Sequence, residues 1–525
     1  MNTSKNTIFL AFLLLTSFIE GGVVMAVELL GAKMIAPFFG TSLYIWSATL
    51  AITLLGLTIG YFLGGLLSSK TNSNNIIYYI LLIASLLVGL MNINSFWILS
   101  TTIDLDIKSG SIISLITYLL PPLSFLGMTS PLIINGIYKY INNSGKSAGT
   151  VYAISTLGGI LMTFIVGFTL IPIQGVSKTC FYYALLLCIV SSIYFLFIKN
   201  KKGTILSGLV LLIIILLNLS LFISNPTTSF GNKLSIKYKS EGLLGQITVL
   251  DNSSNRIISV NNMAQSAMHI PTKKARWKYI HRIATYASIK EKNSNTLICG
   301  LAGGLLVNEF IDLGFNVDVC EIDQRMEYVA KKYFYLKEGY KLFIDDARHY
   351  FKRSKKTYDI IVLDLSAGEN VPANVYTYES FCEIKELLAE DGILFLHYLN
   401  EKNGEGKKAV QSIGNTMNKS GLKTTLLNTT STDKNNTEIV YFSSKDNTFN
   451  LEDCNFPNSP SFSDSLFQIP KKGNIYDSFS FKGGELLTDD KPNIDIFHLS
   501  AALKNRGNIE TYSKDIVEKI EVLYH

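Results

Sequence analysis

A glycine-rich turn followed by acids is the pattern in this sequence that could do chemistry. The apolar residues 297–299 run into a turn that contains Gly300, Gly303 and Gly304, and Glu321 follows Gly300 by 21 residues. A strand that turns through glycines into a helix lets a ligand approach the backbone, and the helix start offers free N–H groups. An acid about 20 residues later can accept hydrogen bonds from both ribose hydroxyls. This pattern predicts a nucleoside site.

Two further acids end later apolar segments and strengthen that prediction. Asp346 ends the segment that follows Glu321, and Asp364 ends the next one. The turn does not have the GxGxxG spacing that is typical of dinucleotide-binding proteins. Adenosine attached to a sulfonium is therefore favoured over a dinucleotide pyrophosphate.

The elements that must position these residues follow from the order of apolar segments. Strand and helix patterns alternate over residues 296–443, which predicts a Rossmann-like parallel α/β sheet. Alternating polar and apolar residues near 234–239, 245–251 and 256–261 predict a small antiparallel sheet. We place the domains at 1–224 (transmembrane helices), 225–275 (antiparallel β subdomain) and 276–525 (Rossmann-like domain with a C-terminal extension).

The composition indicates a protein with a membrane part and a soluble part. Of the 525 residues, 48% are hydrophobic and only 17% are charged. The net charge of +6 is diffuse, and no basic block with interleaved aromatic residues points to nucleic acid. The six cysteines are scattered without metal-ligand spacing, so we expect neither a metal site nor a disulfide framework.

The first 224 residues contain seven apolar runs that are long enough to span a bilayer. They predict an all-α, seven-helix transmembrane bundle in contact with membrane lipid, and a multi-pass location in the cell membrane. The first run continues without a convincing cleavage site, which favours an uncleaved span over a signal peptide. The runs lie near 8–36, 43–67, 76–99, 110–137, 148–172, 177–198 and 204–223.

Two acids, Glu20 and Glu28, lie inside the first apolar run. A carboxylate within the hydrocarbon is costly and normally faces the bundle interior or a water-filled cavity. Glu28 is a candidate contact for a cation or substrate. The structural alternative places Glu20 near an interface and pairs Glu28 with Lys33 or a hydroxyl.

Two arguments disagree about the side of the membrane on which the C-terminal domain lies. Lysines outside the spans favour a cytoplasmic N-terminus, and seven spans would then place the large domain outside. A nucleoside ligand made in the cytosol argues for the cytoplasmic side, which we favour.

Residues 225–400 resemble the spermidine synthase (polyamine aminopropyltransferase) family, and the whole chain resembles its membrane-fused form. Residues 260–265 are similar to the LDG-x-x-Q motif of the family, so the resemblance implies that Gln265 lines the substrate pocket. It further implies that Tyr279 orients the nucleophile and that Asp364 accepts its proton. Glu321 matches the ribose-binding acid and Asp346 the acid that reaches the adenine amine. In the membrane half, residues 40–46, 127–131 and 152–158 resemble motifs of the fused group.

The sequence departs from the family pattern at several positions. Gly303 stands where the family has an aspartate for the amine of decarboxylated S-adenosylmethionine, and Ala367 replaces the second acid of D-x-[ST]-D. Ile280 and His281 replace the two residues that follow the motif tyrosine. A diamine dication needs carboxylates to replace its water, so these losses weaken the case for a polyamine acceptor.

The resemblance, together with these departures, implies an enzyme that binds S-adenosylmethionine, or its decarboxylated form, as a small-molecule substrate. It would cleave the propyl–sulfur bond and release 5′-methylthioadenosine, with an added amine or the substrate's own amine or carboxylate as nucleophile. A conventional polyamine aminopropyltransferase, a methyltransferase and a ligand-binding transporter or sensor stay open as alternatives. A homodimer is one option for its assembly.

Overall fold

The computed structural model describes most of the chain. It covers residues 3–41, 43–70, 74–102, 105, 107–219, 229–230, 234–242, 244–252, 254–366, 371–428, 438–445, 450–454, 456 and 474–498. The chain divides into two compact units. The helical unit comprises residues up to 226 together with 239–246, and the sheet unit comprises 227–238 and 247–519.

Long apolar helices make up the helical unit. They are α1 (Thr3–Phe39), α2 (Leu43–Lys70), α3 (Asn75–Thr102), α4 (Ile107–Tyr118), α5 (Leu120–Ile141), α6 (Ser144–Ile165), α7 (Ile171–Phe197) and α8 (Lys201–Asn218), with a π-helical turn, Val166–Leu170, between α6 and α7. Six continuous helical segments in the described part of the chain are long and apolar enough to cross a membrane. The helical character of this half is therefore as predicted.

One of those six segments accounts for two of the seven predicted spans. It runs from Ser144 to Phe197, 54 residues. At 1.5 Å per residue such a helix would be about 80 Å long, more than twice the roughly 30 Å of a hydrocarbon core. The segment is interrupted at Gly175, whose φ of 82° is not helical. The break lies between the predicted spans 148–172 and 177–198.

Small residues let the helices of this unit approach closely. A Cβ added at Gly158 of α6 would lie 2.0 Å from the carbonyl oxygen of Phe18 in α1. A Cβ at Gly60 of α2 would lie 2.4 Å from the carbonyl oxygen of Ser124 in α5. Larger side chains cannot occupy these positions without moving the helices apart.

A six-stranded sheet precedes the Rossmann-like part of the sheet unit. Its strands, which pair in chain order, are β1 (Ser229–Phe230), β2 (Leu234–Ser240), β3 (Ile247–Asn252), β4 (Asn255–Val260), β5 (Met263–His269) and β6 (Lys274–Ala275). The pair β3–β4 is antiparallel, as predicted, and the antiparallel pairs β4–β5 and β5–β6 extend the sheet beyond the predicted strands. Asn261 and Asn262, with φ of 48° and 65°, form the left-handed turn that joins β4 to β5.

The second sheet has eight strands in the order β14-β12-β13-β11-β10-β7-β8-β9. Its strands are β7 (Asn295–Cys299), β8 (Asn316–Glu321), β9 (Tyr340–Ile344), β10 (Tyr358–Leu363), β11 (Leu388–Leu399), β12 (Lys423–Leu427), β13 (Glu438–Ser444) and β14 (Tyr476–Asp477). Strands β7 to β11 are parallel to one another, whereas β13, β12 and β14 add an antiparallel extension beside β11. The predicted parallel α/β sheet is confirmed.

Helices cover both faces of this sheet, and the strands are apolar on both faces for that reason. In β10, Ile360 and Val362 pack into one core, whereas Ile361 and Leu363 pack into the other. The helices of this unit are α9 (Lys278–Ala287), α10 (Leu305–Asp312), α11 (Arg325–Phe334), α12 (Ala347–Arg353), α13 (Tyr378–Leu387) and α14 (Lys407–Lys419).

The strand order reverses at β7, and this reversal locates the site. The chain proceeds from β7 through β8 to β9 on one side, and then returns to β10 and β11 on the other. Ligands of open α/β sheets bind in the crevice beyond the carboxyl ends of the strands at such a point. In this sheet, the crevice begins at Gly300 after β7 and at Asp364 after β10.

Candidate active site

The glycine turn after β7 is shaped by close contacts that only glycine allows. Gly300 has φ of 99°, and a Cβ there would lie 2.0 Å from the carbonyl oxygen of Asp364. Gly304 has φ of 69°, and a Cβ there would meet the Leu336 side chain at 2.7 Å. The turn therefore passes directly beside the end of β10 and begins α10 without a side chain in the way.

Glu321, at the end of β8, is held by the backbone on both carboxylate oxygens. Its Oε2 accepts a hydrogen bond from the Leu301 N–H, and its Oε1 accepts one from the Asp323 N–H, both at 2.8 Å. Burial raises the pKa of Glu321, and these hydrogen bonds oppose that rise. Each carboxylate oxygen has a second acceptor position. Glu321 is thus oriented beside the glycine turn, and each of its oxygens can still accept a hydrogen bond from a hydroxyl of a diol.

Asp346, after β9, caps the helix that follows it. Its Oδ1 accepts a hydrogen bond from the His349 N–H at 3.1 Å at the start of α12. Asp346 and Glu321 both lie close enough to the Cys299 thiol to raise the pKa of that thiol, after the larger effect of burial. The structure therefore brings this acid to the same sheet edge, and the adenine role of Asp346 stays a prediction.

Asp364 is the centre of a three-residue arrangement in which its two partners are buried. The Tyr279 hydroxyl donates to Oδ2 of Asp364 at 2.9 Å, and Nδ1 of His397 lies 2.9 Å from Oδ1. The Tyr279 and His397 rings stack with centroids 3.5 Å apart and planes 6° apart. Burial, followed by the charge of Asp364, raises the pKa of Tyr279 well above its usual value. Tyr279 therefore remains a proton donor to Asp364 across the physiological range.

The histidine ring in this arrangement has one nitrogen available for chemistry. A carboxylate only accepts hydrogen bonds, so the proton of a neutral His397 lies on Nδ1, facing Asp364. Its Nε2 is then an acceptor, and no described residue donates to it. His397 is 7% exposed. Asp364 can therefore hold the His397 ring in an orientation in which Nε2 is a proton acceptor.

These residues line one pocket in the sheet unit. Gln265, Trp277 and Ser366 lie in its wall with Tyr279, Asp364 and His397. The Ser366 hydroxyl donates to Oε1 of Gln265 at 2.6 Å, which ties the antiparallel sheet to the loop after β10. Two predicted pocket residues and the predicted proton acceptor thus lie together, while Glu28 belongs to the helical unit.

His397 is the site residue that the sequence analysis missed. It lies near the end of β11, the strand next to β10. Its position near the carboxyl end of an apolar strand was visible in the sequence, and the carboxyl ends of adjacent parallel strands meet at one sheet edge. The predicted site residues at strand ends were acids only and did not include this histidine.

The departures from the family pattern have different structural settings. A Cβ at Gly303 would lie 2.9 Å from the Ser266 hydroxyl and 3.0 Å from the buried ring of Phe334. Any side chain at this position must displace that ring. His281 is buried, with Nδ1 2.9 Å from a Glu309 carboxylate oxygen, and does not line the pocket. Ala367 lies outside the described residues.

The turn, the strand-end acids and the parallel sheet define a Rossmann-like domain of the methyltransferase type. Residues 278–453 match the family described as spermine/spermidine synthase domain, so the C-terminal part of the chain contains a spermidine synthase domain. This match confirms the resemblance for that part of the chain. The membrane-fused character rests on the apolar helices of the other half.

Individual relatives are similar over shorter stretches. A polyamine aminopropyltransferase from Vibrio vulnificus is 31% identical over 129 residues, which are 23% of this chain and 43% of that protein. An N-terminal histidine N-methyltransferase from Emericella nidulans is 33% identical over 116 residues, 21% of each chain. The alignments thus span less than half of these curated relatives. The crystal structure of a probable spermidine synthase from Corynebacterium glutamicum superposes with a TM-score of 0.37 at 18% identity, covering 50% of this chain and 97% of that one.

Proposed function

We propose that the sheet unit binds S-adenosylmethionine, or its decarboxylated form, and cleaves the propyl–sulfur bond to release 5′-methylthioadenosine. The observation that carries this proposal is the position of Asp364. Its two oxygens are engaged by Tyr279 and His397, and its backbone lies against the glycine turn at Gly300.

In this proposal the adenosine half is bound at the strand ends. Glu321 accepts hydrogen bonds from the ribose hydroxyls, and Asp346 reaches the adenine amine. The turn at Gly300 lets the sulfonium approach the backbone. The propyl chain then extends toward Tyr279 and Asp364, where the nucleophile attacks.

The chemical step is a displacement at the carbon of the propyl chain that is bonded to sulfur. A nucleophile forms a bond to that carbon, the carbon–sulfur bond breaks, and sulfur takes the electron pair to become the neutral thioether of methylthioadenosine. An amine nucleophile must also lose a proton, which Asp364 accepts or steers to its partner. Much of the acceleration comes from alignment of nucleophile, carbon and sulfur.

This chain differs from a polyamine synthase in the residues that would bind the amine that receives the propyl chain. Among the described residues of the pocket wall, Asp364 is the only carboxylate. A diamine dication would require further acids to replace its hydration. Ala367, which stands in place of the second acid of the family motif, supports the substrate's own amine or carboxylate as nucleophile. That reaction yields methylthioadenosine and a small cyclic product from intact S-adenosylmethionine.

Two other activities have specific support. The relative from Vibrio vulnificus is named a polyamine aminopropyltransferase, which favours transfer to an added amine. The relative from Emericella nidulans is named a histidine N-methyltransferase, which favours transfer of the methyl group instead. A transporter or sensor would bind the ligand without changing it.

One incubation separates these functions. The full chain, purified in detergent, is incubated with intact or decarboxylated S-adenosylmethionine, with and without a diamine, and the products are identified by mass spectrometry. We expect methylthioadenosine from the intact form without a diamine. Methylthioadenosine only from the decarboxylated form with a diamine would identify a conventional aminopropyltransferase. S-adenosylhomocysteine would identify a methyltransferase, and unchanged ligand would indicate a binding protein.

We further propose that the helical unit lies in the cell membrane, in contact with lipid, with the sheet unit on the cytoplasmic side. Exposed apolar side chains such as Phe62, Phe168 and Ile173, each more than 60% exposed, support the lipid contact. A maleimide that cannot cross membranes should label Cys382 only after the cells are permeabilised. Labelling in intact cells would place the sheet unit outside. Mass measurement of the detergent-purified protein tests the homodimer.

A further inference from the structure

A buried carboxylate in the helical unit lies outside the proposed chemistry of the sheet unit. Glu20, in the middle of α1, is 2% exposed. The Ser130 hydroxyl of α5 lies 3.3 Å from Oε2 and 3.4 Å from Oε1, and the Ser155 hydroxyl of α6 lies 3.4 Å from Oε2. Three helices therefore meet at one carboxylate.

Two sequence segments without a role in the proposed reaction supply these hydroxyls. Ser130 belongs to the segment 127–131, and Ser155 belongs to the segment 152–158, both of which resemble motifs of the membrane-fused group. Thr129, from the first segment, also interacts with Glu20. The segments are distant in sequence and converge on the same acid.

The partners of Glu20 carry no positive charge. Among the described residues they are hydroxyl groups, and no lysine, arginine or histidine pairs with this acid. An ionised carboxylate buried without a counter-charge is too costly to persist, so such a group takes up a cation or a proton. One carboxylate among neutral groups is balanced by a single positive charge.

The oxygen atoms around Glu20 have the chemistry of a cation site. The hydroxyl–carboxylate distances of 3.3–3.4 Å exceed the usual O–H···O distance of about 2.7–2.8 Å, so these oxygens are not drawn into tight hydrogen bonds. Helices α1 and α6 are in close contact beside Glu20, since a Cβ at Gly21 would lie 2.1 Å from the Ser155 carbonyl oxygen. Sets of oxygen ligands suit hard cations.

We propose that Glu20, Ser130 and Ser155 form a binding site for a monovalent cation, a proton or a sodium ion, within the helical unit. The site is independent of the reaction proposed for the sheet unit. Tyr61 of α2 is a titratable group that interacts with Glu20, and it also interacts with Tyr152 of α6.

The other acid of α1 differs from Glu20. Glu28 is 8% exposed, and no described hydroxyl donates a hydrogen bond to it. Its predicted contact with a cation or substrate and its predicted pairing with Lys33 both stay predictions. Glu28 lies on the same helix and carries the same functional group, so Glu28→Gln shows whether a cation response belongs to Glu20 or to the contact predicted for Glu28.

The test measures how cations affect the thermal stability of the full chain in detergent. Melting temperatures are recorded across a pH series in sodium, potassium or choline chloride at equal ionic strength. We expect the wild-type melting temperature to change by several degrees with pH, with sodium, or with both. In Glu20→Gln that dependence disappears, and in Glu28→Gln it remains. A response to pH alone identifies the proton as the cation, and a specific response to sodium identifies the metal ion.

A second measurement applies if Glu20→Gln does not fold. Dicyclohexylcarbodiimide adds to protonated carboxyl groups in apolar surroundings, and peptide mass mapping locates the adduct in the wild-type protein. We expect an adduct at Glu20 that decreases as pH rises or as sodium is added. An adduct that is insensitive to both, or none at Glu20 at any pH, would overturn the proposal, as would equal cation dependence of melting in Glu20→Gln and the wild type.

Discussion

Replacing Asp364 with asparagine tests the geometry of the proposed site most directly. Both oxygens of Asp364 act as acceptors, one for Tyr279 and one for Nδ1–H of His397. Asparagine offers one acceptor oxygen and one donor amide. If the oxygen continues to accept from Tyr279, the amide faces Nδ1, and the proton of His397 must move to Nε2. The substitution thus removes the carboxylate and also the free acceptor on the histidine.

The size of the effect follows from what is lost. General acid–base catalysis contributes about 10²–10⁴-fold, which corresponds to roughly 2.7–5.5 kcal/mol of activation free energy. An exchange of aspartate for asparagine that reverses a histidine tautomer in a serine protease costs about 10⁴-fold. We therefore expect Asp364→Asn to lower the single-turnover rate of methylthioadenosine release by about 10³-fold or more. The affinity for the adenosyl ligand should change little, because Asp364 acts on the nucleophile.

A matched control lies on the same strand. Asp359, at the opposite end of β10, accepts a hydrogen bond from the Asn295 N–H at 2.7 Å and does not line the pocket. Asp359→Asn makes the same chemical change far from the proposed chemistry, and its release rate should stay near that of the wild type. Release by Asp364→Asn at a rate similar to that of the control would refute the role assigned to Asp364. Such a result would also fit a carboxylate nucleophile, which has no proton to lose.

Other predictions concern binding and stability. Glu321→Ala should weaken adenosyl binding by about 2 kcal/mol or more, since hydrogen bonds to charged groups are strong, and unchanged affinity in calorimetric titration would contradict the ribose assignment. Because burial raises the pKa of Glu321, its contribution to stability is full below the ordinary value of 4.5 and is lost as pH rises through the raised pKa. The ligand-free melting temperature should therefore fall over that pH range more in the wild type than in Glu321→Gln. An equal fall in both proteins would contradict the raised pKa of Glu321. Gly300→Ala should lower the melting temperature markedly, because its Cβ would overlap the carbonyl oxygen of Asp364, and an unchanged value would show that the turn can relax.

Strong periodic signals made much of the fold predictable. Apolar runs that end in a glycine turn or in an acid place β7, β8 and β10, because a buried parallel strand requires a continuous apolar run. The hairpin at Asn261 and Asn262 was not predicted, although asparagine is a residue that tolerates left-handed backbone. The helix break at Gly175 was less visible, since apolar composition alone does not show where one long helical segment changes direction.

The site was only partly predictable, for a different physical reason. Acids at strand ends are rare enough to be noticed, whereas His397 lies within an apolar run and gains its meaning from the neighbouring β10. The contrast between Glu20 and Glu28 likewise depends on which side of α1 meets Ser130 and Ser155. Such contacts between distant segments depend on packing, which the sequence pattern does not specify. The boundary between the predicted domains 225–275 and 276–525 stays a prediction.

The contact between Gly300 and the carbonyl oxygen of Asp364 has a consequence for how this site can diversify. The glycine turn and Asp364 are in close backbone contact, so neither can shift without moving the other. In the opposite wall, Gln265 and Ser366 are joined by a hydrogen bond between their side chains. We expect new acceptor specificity to arise by replacements in that second wall, while the first wall preserves the cleavage of the same sulfonium.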